Sequence, residues 1–127
     1  MDIIEELLEL KKRYKMVIPS NYEEFIKNTN FFDYSGTVIK IDGIEIEINH
    51  FLKVDPQNPS RDVLNWYTYA EKDRIDFLTI AMGFGNEEIA IKTRGDNLGT
   101  IYYIDQTESV MLKKLFCNFN ELQSQLI

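Results

Sequence analysis

The stretch from Asp76 to Asp105 constrains the fold of this chain more than any other part of the sequence. It contains β-rich runs over residues 76–82, 87–93 and 100–105, separated by breaks rich in glycine and asparagine at 83–86 and 94–99. Glycine and asparagine adopt the positive φ angles that tight reversals need. The pattern therefore predicts an antiparallel meander of three strands.

A second β-rich unit precedes the meander. Strands are predicted over residues 35–41 and 44–49, because the Asp42-Gly43 pair between them is typical of a two-residue hairpin turn. Isoleucines alternate with polar residues along the second strand, which places Glu45 and Glu47 on the face opposite the core. We expect these two carboxylates to face water or a partner.

Helical patterns flank the predicted strands. They cover residues 2–14, 20–30 and 61 to about 71, and a last helix follows residue 118; the expected N-caps are Ser20, Ser60 and Asn118. Ser20 and Asn118 are each followed three residues later by a glutamate, as in a capping box. The sum is an α+β fold in which N-terminal, middle and C-terminal helices pack on a twisted antiparallel sheet of about five strands. A length of 127 residues predicts a single domain over residues 1–127.

The charge balance limits the kinds of partner. The chain has 14 basic and 21 acidic residues, a net charge of −7. This balance argues against nucleic acid and against anionic membrane, both of which need basic surfaces, and it favours a basic protein partner. Solubility alone is the alternative explanation of the charge. The acidic start of the chain is unlike a secretory signal, and no apolar run approaches the length of a membrane span, so we expect a cytoplasmic protein.

The residues that usually carry catalysis are sparse. His50 is the only histidine, expected as a polar residue at a strand end, and Cys117 is the only cysteine, expected as a small buried apolar residue. The glycines at 83–85 lead into Glu87, Glu88 and a strand, whereas a phosphate-binding loop leads into a helix. Such acidic pairs are expected on solvated strand faces. We therefore expect no enzyme activity, no cofactor and no metal site.

Aromatic residues beside carboxylates are typical of protein interfaces. Such groups occur after the second predicted helix and on the third. Among their aromatic residues, we expect Phe31, Trp66 and Tyr67 to belong to the core. Together with the two strand glutamates, the predicted partner-binding residues are Asp33, Tyr34, Glu45, Glu47, Asp62, Tyr69, Glu71 and Asp73.

The order of these pieces resembles the SUKH superfamily, also described as the Smi/Knr cell-wall-regulator type. The matching motifs, in chain order, are Ile18-Pro19, Leu78-Thr79-Ile80-Ala81, Gly85-Asn86, Glu88-Ile89-Ala90-Ile91, Gly99-Thr100-Ile101-Tyr102-Tyr103 and the helix start at 116–122. Two places depart from the pattern. Phe31-Phe32 stands where the family has Gly-Gly, and Ile104-Asp105-Gln106 stands where it often has Trp-Asp-His.

The resemblance implies a fold and a function. Many bacterial SUKH proteins are immunity proteins of polymorphic or contact-dependent toxin systems, which bind and neutralise a cognate toxin, often a nuclease. It carries no fixed binding site across, because immunity interfaces are specific to the partner. The alternatives are a non-enzymatic regulatory scaffold, like the fungal cell-wall regulators, and a small-molecule-sensing binding module. The exposed edge of the sheet is compatible with either a monomer or a homodimer.

Overall fold

A computed structural model describes residues 3–28, 33–53, 55, 57–58, 62–105 and 111–126, with backbone alone at 3, 69–74 and 111. In this part of the chain the elements follow in the order α1 (Ile3–Arg13), α2 (Ser20–Asn28), β1 (Val38–Ile41), β2 (Ile44–Phe51), α3 (Val63–Arg74), β3 (Phe77–Gly83), β4 (Glu87–Lys92), β5 (Ile101–Asp105), β6 (Met111–Phe116) and α4 (Phe119–Ser124). The strands form one sheet in the order β1-β2-β3-β4-β5-β6, and each neighbouring pair is antiparallel. The protein is therefore α+β, as the sequence predicts.

The predicted meander and hairpin are confirmed. Strands β3, β4 and β5 pair in sequence, and the loops between them contain Gly85 at φ +88° and Gly99 at φ +85°. The β1–β2 turn has Asp42 at φ 48° and Gly43 at φ 81°, which are the two positive φ angles of a type I′ turn. Strand β1 begins later than predicted. A turn in which the Thr37 N–H donates to the Tyr34 carbonyl at 3.1 Å takes up its expected first residues.

The sixth strand, β6, was not predicted. It pairs with β5 through Ile101↔Phe116 and Tyr103↔Lys113, with a register shift after the first pair. Leu112 is exposed, whereas Leu115 and Phe116 are both buried, so the strand lacks the alternation that identifies a half-buried strand. The Lys113 ammonium donates to the Asp42 carbonyl at 2.9 Å. This contact brings β6 beside the β1–β2 turn, although β2 to β5 lie between β1 and β6, so the sheet is strongly twisted.

The hydrophobic core lies between the helices and one face of the sheet. Leu78, Ile91 and Ile101 stand opposite one another on β3, β4 and β5, and all three are fully buried. The helices contribute Leu7, Leu10, Tyr22, Phe25, Phe119 and Leu122 to the same cluster. Ring contacts join α2 to α4, because Phe119 lies edge-on to both Tyr22 and Phe25 with centroids 5.4 Å and 5.1 Å apart. These contacts hold α2 and α4 together within the core.

The helix starts agree only in part with the predicted caps. Asn118 caps α4 as expected, accepting from the Glu121 N–H at 3.0 Å. Helix α2 begins at Ser20 itself, and the Glu23 carboxylate pairs with Lys11 of α1. The α3 cap is Asp62, so the prediction of Ser60 is wrong. Asp62 has the extended backbone of an N-cap, and its carboxylate accepts the Asn65 N–H at 3.1 Å.

Cys117 also differs from its prediction. It was expected to be buried, but it is exposed at the junction of β6 and α4. Its backbone N–H donates to the Glu121 carboxylate at 2.9 Å, which closes the turn before α4. The flanking Phe116 and Phe119 fill the core instead. In the described part of the chain, no helix is long and apolar enough to cross a membrane.

Candidate protein-binding surface

Residues 33–51 form a continuous acidic surface element, which we call the acidic hairpin. It consists of β1, β2 and the turn that leads into β1. The Gly36 N–H donates to the Ile48 carbonyl at 2.7 Å, and the Ile48 N–H donates to the Thr37 carbonyl at 2.8 Å. These bonds fasten the turn to β2. The candidate residues Asp33 and Tyr34 therefore belong to the same unit as Glu45 and Glu47.

The outward face of β2 presents carboxylates, as the sequence predicts. Glu45 and Glu47 are exposed, whereas Ile46 and Ile48 between and beside them are buried. Across the hairpin Lys40 stands opposite Glu45, and Val38, also exposed, stands opposite Glu47. The strand alternation thus separates the acidic face from the core face.

The charge of the acidic hairpin is negative overall. Its acidic residues are Asp33, Asp42, Glu45 and Glu47, all exposed, and its lysine is Lys40. Four carboxylates less one ammonium give a net charge of −3, if His50 is neutral. Exposed carboxylates attract a basic partner and accept hydrogen bonds from its arginine and lysine side chains.

Tyr34 is the aromatic residue of this surface. Its ring is stacked on Phe25 with centroids 5.7 Å apart, and it meets Phe51 edge-on at 5.8 Å. Tyr34 is half-buried, and Asp33 beside it is exposed. A tyrosine whose ring is fixed by the core loses little conformational entropy when a partner covers its remaining surface. The structure therefore places a rigid aromatic residue next to an exposed carboxylate.

The candidate residues of α3 have different fates. Asp62 was expected to face outward, and that prediction is wrong. Its side chain is 4% exposed, because it caps α3 and also accepts the Asp55 N–H at 2.7 Å. The backbone at Tyr69, Glu71 and Asp73 lies within α3, and their side chains lie outside what the structure describes.

The predicted core aromatics of α3 are confirmed where the structure describes them. Tyr67 is buried, lies edge-on to Tyr14 of α1 at 4.9 Å and donates its hydroxyl to the Ile75 carbonyl at 2.9 Å. Trp66 is partly buried against the core. Phe31 lies outside the described residues. Helix α3 is therefore fixed through its inner aromatic face.

The remaining acidic residues of the meander do not form a solvated pair. Glu88 was expected on a solvated face, but it is 1% exposed and accepts the Thr79 hydroxyl at 2.8 Å. The Tyr103 hydroxyl lies 3.3 Å from the Glu87 carboxylate and 3.2 Å from that of Asp105. Burial raises the pKa of the Tyr103 hydroxyl, and the two neighbouring carboxylates raise it further. This phenol is therefore protonated at neutral pH and acts as a hydrogen-bond donor.

A shallow groove lies on another part of the molecule. It has a volume of about 240 Å³ and runs between the α1–α2 linker, the β4–β5 loop and the start of α4. Its lining includes Val17 and Leu98, which are 56% and 46% exposed, together with the amide side chains of Asn21 and Asn118. This volume is below that of a typical small-molecule pocket.

One buried carboxyl group was missed from the sequence. Glu6 of α1 is 1% exposed and hydrogen-bonded to Asp62, although its position in the first turn suggested only a favourable interaction with the helix dipole. A signal was present. Glu6 precedes Leu10 by four residues and therefore lies on the same side of the helix as the buried stripe.

Within the described residues, no group of three or more His, Cys, Asp or Glu side chains is arranged to hold a metal ion. His50 lies half-buried in β2, next to the strand end where the sequence places it.

Comparison with known proteins agrees with this fold. The model of the SMI1 / KNR4 family (SUKH-1) matches residues 4–125. Comparisons with curated proteins and with solved structures found no match. The matched range covers the helices and strands described above, apart from Ile3 at the start of α1. The chain therefore belongs to the SMI1 / KNR4 family (SUKH-1).

Proposed function

We propose that this protein is an immunity protein that binds and neutralises a cognate toxin domain, most simply a basic nuclease domain, in the cytoplasm. Membership of the family supports the general class, and the resemblance described above implies the immunity role. The observation that carries the proposal is the exposed, negatively charged face of the acidic hairpin. A nuclease domain needs a basic surface to bind its phosphate backbone, and an acidic face complements that surface.

Inhibition would follow from occupation of the toxin's substrate-binding surface. Glu45 and Glu47 would pair with lysine and arginine side chains that otherwise contact phosphates. Tyr34 would supply apolar contact next to Asp33, in the way that aromatic residues dominate the binding energy of many interfaces. No bond is made or broken in this mechanism, so the protein needs neither a catalytic residue nor a cofactor.

Co-expression tests this proposal most simply. The toxin domain encoded beside this gene is expressed with wild-type protein, and cell survival and complex formation by gel filtration are both measured. We expect survival and a stable complex. Continued killing without a complex would overturn the proposal.

Matched charge variants test the acidic hairpin separately. Glu45→Gln with Glu47→Gln removes two charges from the proposed interface. Glu24→Gln with Asp96→Asn removes two charges from exposed positions on α2 and in the β4–β5 loop. We expect the first pair of substitutions to raise the dissociation constant of the complex at least about tenfold, and the second pair to change it by no more than about twofold. Equal effects of the two pairs would place the interface elsewhere, even if the protein protects the cell.

A regulatory scaffold or a small-molecule sensor remains the alternative class. The groove near Val17 and Leu98 is the feature that a sensor could use, but its volume of about 240 Å³ gives this reading less support than the acidic face gives to a protein partner. Capture of host proteins in the absence of any toxin would favour a scaffold. A metabolite that raises the melting temperature would favour a sensor.

A further inference from the structure

Two carboxyl groups meet inside the molecule, between α1 and the start of α3. Glu6 is 1% exposed and Asp62 is 4% exposed, and the two side chains are hydrogen-bonded to each other. Carboxyl groups are rarely buried without a partner, because removing a charge from water is costly. This pair is distinct from the acidic hairpin and has no part in the function proposed above.

Both side-chain oxygens of Asp62 act as hydrogen-bond acceptors. One oxygen accepts the Asp55 N–H at 2.7 Å and the other accepts the Asn65 N–H at 3.1 Å. Asp62 also stands at the N-cap of α3, where the helix dipole favours a negative charge. These contacts leave Asp62 as the acceptor towards Glu6.

Glu6 has the opposite environment. A hydrogen bond between two carboxyl groups requires a proton, and because both Asp62 oxygens already accept backbone N–H groups, that proton is carried by Glu6. The Glu6 Oε2 atom and the nearby Tyr22 hydroxyl are buried and have no hydrogen-bond partner within the described part of the chain. An ionised Glu6 would therefore place a second negative charge beside Asp62 with little to compensate it.

The groups around Glu6 come from each element packed against it. Burial, followed by the hydrogen bond to Asp62 and the charge of Asp62, raises the pKa of Glu6 to about 8. Glu9, one turn further along α1, acts in the same direction, and the positive amino terminus acts against it. On α2, burial raises the pKa of the Tyr22 hydroxyl, and the Glu6 charge raises it further.

We propose that Glu6 and Asp62 form a proton-dependent clamp, which holds α1 against the start of α3 while Glu6 carries a proton and loosens when that proton is lost. The clamp adds a directional contact to the apolar packing of Leu7 and Leu10 on the same helix. It also joins the first helix of the fold to a residue whose carboxyl group accepts the Asp55 backbone N–H. Loss of the proton would therefore weaken the contact of α1 with the start of α3.

The direction of the pH dependence follows from the pKa difference. The folded pKa of about 8 lies above the ordinary value of 4.5, so between these values the folded protein holds one more proton than the unfolded chain. Stability from this group is complete below about pH 4.5 and falls as the pH rises towards 8. The folding equilibrium constant should decrease about tenfold per pH unit within this window.

The test compares wild type with Glu6→Gln, whose amide can donate the same hydrogen bond but cannot ionise. Urea unfolding is measured from pH 5 to 9, and Glu24→Gln serves as a control for loss of an exposed carboxylate on α2. We expect the wild type and the control to lose stability relative to Glu6→Gln as the pH rises from about 5 to about 8. Parallel pH profiles for all three proteins would overturn the proposal.

A second measurement does not depend on a variant that folds. The carboxyl carbons of the glutamates are labelled with carbon-13 in the wild-type protein and followed by NMR through the same pH range. The clamp requires one buried glutamate to titrate near pH 8, with amide exchange in α1 increasing as it does so relative to α4. Titration of every glutamate near pH 4.5 would exclude the clamp.

Discussion

At the scale of single residues, the structure uses carboxyl groups in two opposite ways. Glu45 and Glu47 are exposed on a strand face, where their charge is available to a partner. Glu6, Asp62 and Glu88 are buried, and each forms a hydrogen bond within the fold. In the function proposed above, the first use serves recognition, whereas the second ties elements of the fold together. Strand alternation in the sequence indicates the exposed pair, whereas the hydrogen-bond partners of the buried residues are set by the fold.

Asp62 provides a test of the buried use. Asp62→Ala removes the N-cap of α3 and the acceptor for the Asp55 N–H. We expect it to lower the free energy of unfolding by about 2 kcal/mol in urea, at the upper end of capping effects. Asp62→Asn keeps a side-chain oxygen at the cap, so it should lose less than about half as much. Equal losses in the two variants would contradict the capping role.

Thr79 tests the environment of Glu88 in the same way. Thr79→Val keeps the shape of the side chain but removes the hydroxyl that donates to the buried Glu88 carboxyl group. We expect a loss of about 1–3 kcal/mol in the free energy of unfolding, measured with urea. Thr79→Ser retains the hydroxyl and should lose about 1 kcal/mol or less. A Val variant as stable as the Ser variant would show that the hydrogen bond adds nothing.

At the scale of elements, turn residues explain which parts of the fold are predictable. Asp42-Gly43 predicted the first hairpin, and the glycines of the meander loops predicted its reversals, because few other residues adopt their φ angles. Strand β6 has no such signal. Its consecutive Leu115 and Phe116 both enter the core, since tertiary packing and a register shift override the alternation.

The candidate surface was predictable to a similar extent. The alternation along β2 correctly placed Glu45 and Glu47 outward, because register alone decides which face a strand residue occupies. Asp62 was placed wrongly, because Ser60 and Asp62 are both good N-caps and only the fold selects between them. Glu6 lies on the same side of α1 as the buried stripe, but its hydrogen-bond partner is 56 positions away in the sequence, and helical periodicity cannot identify that partner.

The β1–β2 turn yields a prediction about the hairpin. Gly43 has φ 81° with open space around its α carbon, so Gly43→Ala introduces backbone strain without a steric clash. We expect a loss of about 1–2 kcal/mol in the free energy of unfolding. Asp42→Asn should be neutral within about 0.5 kcal/mol, because asparagine also tolerates positive φ and Lys113 contacts only the Asp42 backbone. A neutral Gly43→Ala would mean that the turn does not constrain the hairpin.

At the scale of the whole molecule, a net charge of −7 would favour encounter with the basic toxin domain proposed above. Electrostatic attraction raises association rates between oppositely charged proteins, and salt screens it. If the toxin domain is basic, its association rate constant with this protein should fall at least about tenfold between about 0.02 M and about 0.5 M salt, as measured by stopped flow. This range lies on both sides of the ionic strength of about 0.1 M at which the Debye length is about 10 Å. The dissociation rate should change much less. An association rate that is independent of salt would show that the acidic surface does not attract the toxin domain.

The most direct test of the central proposal is a titration of toxin activity in solution. The purified toxin domain encoded beside this gene is mixed with increasing amounts of this protein, and cleavage of its substrate is followed. We expect activity to fall linearly and to vanish near one equivalent, with Glu45→Gln, Glu47→Gln requiring a larger excess. Full toxin activity in a large excess of the wild-type protein would contradict neutralisation by binding.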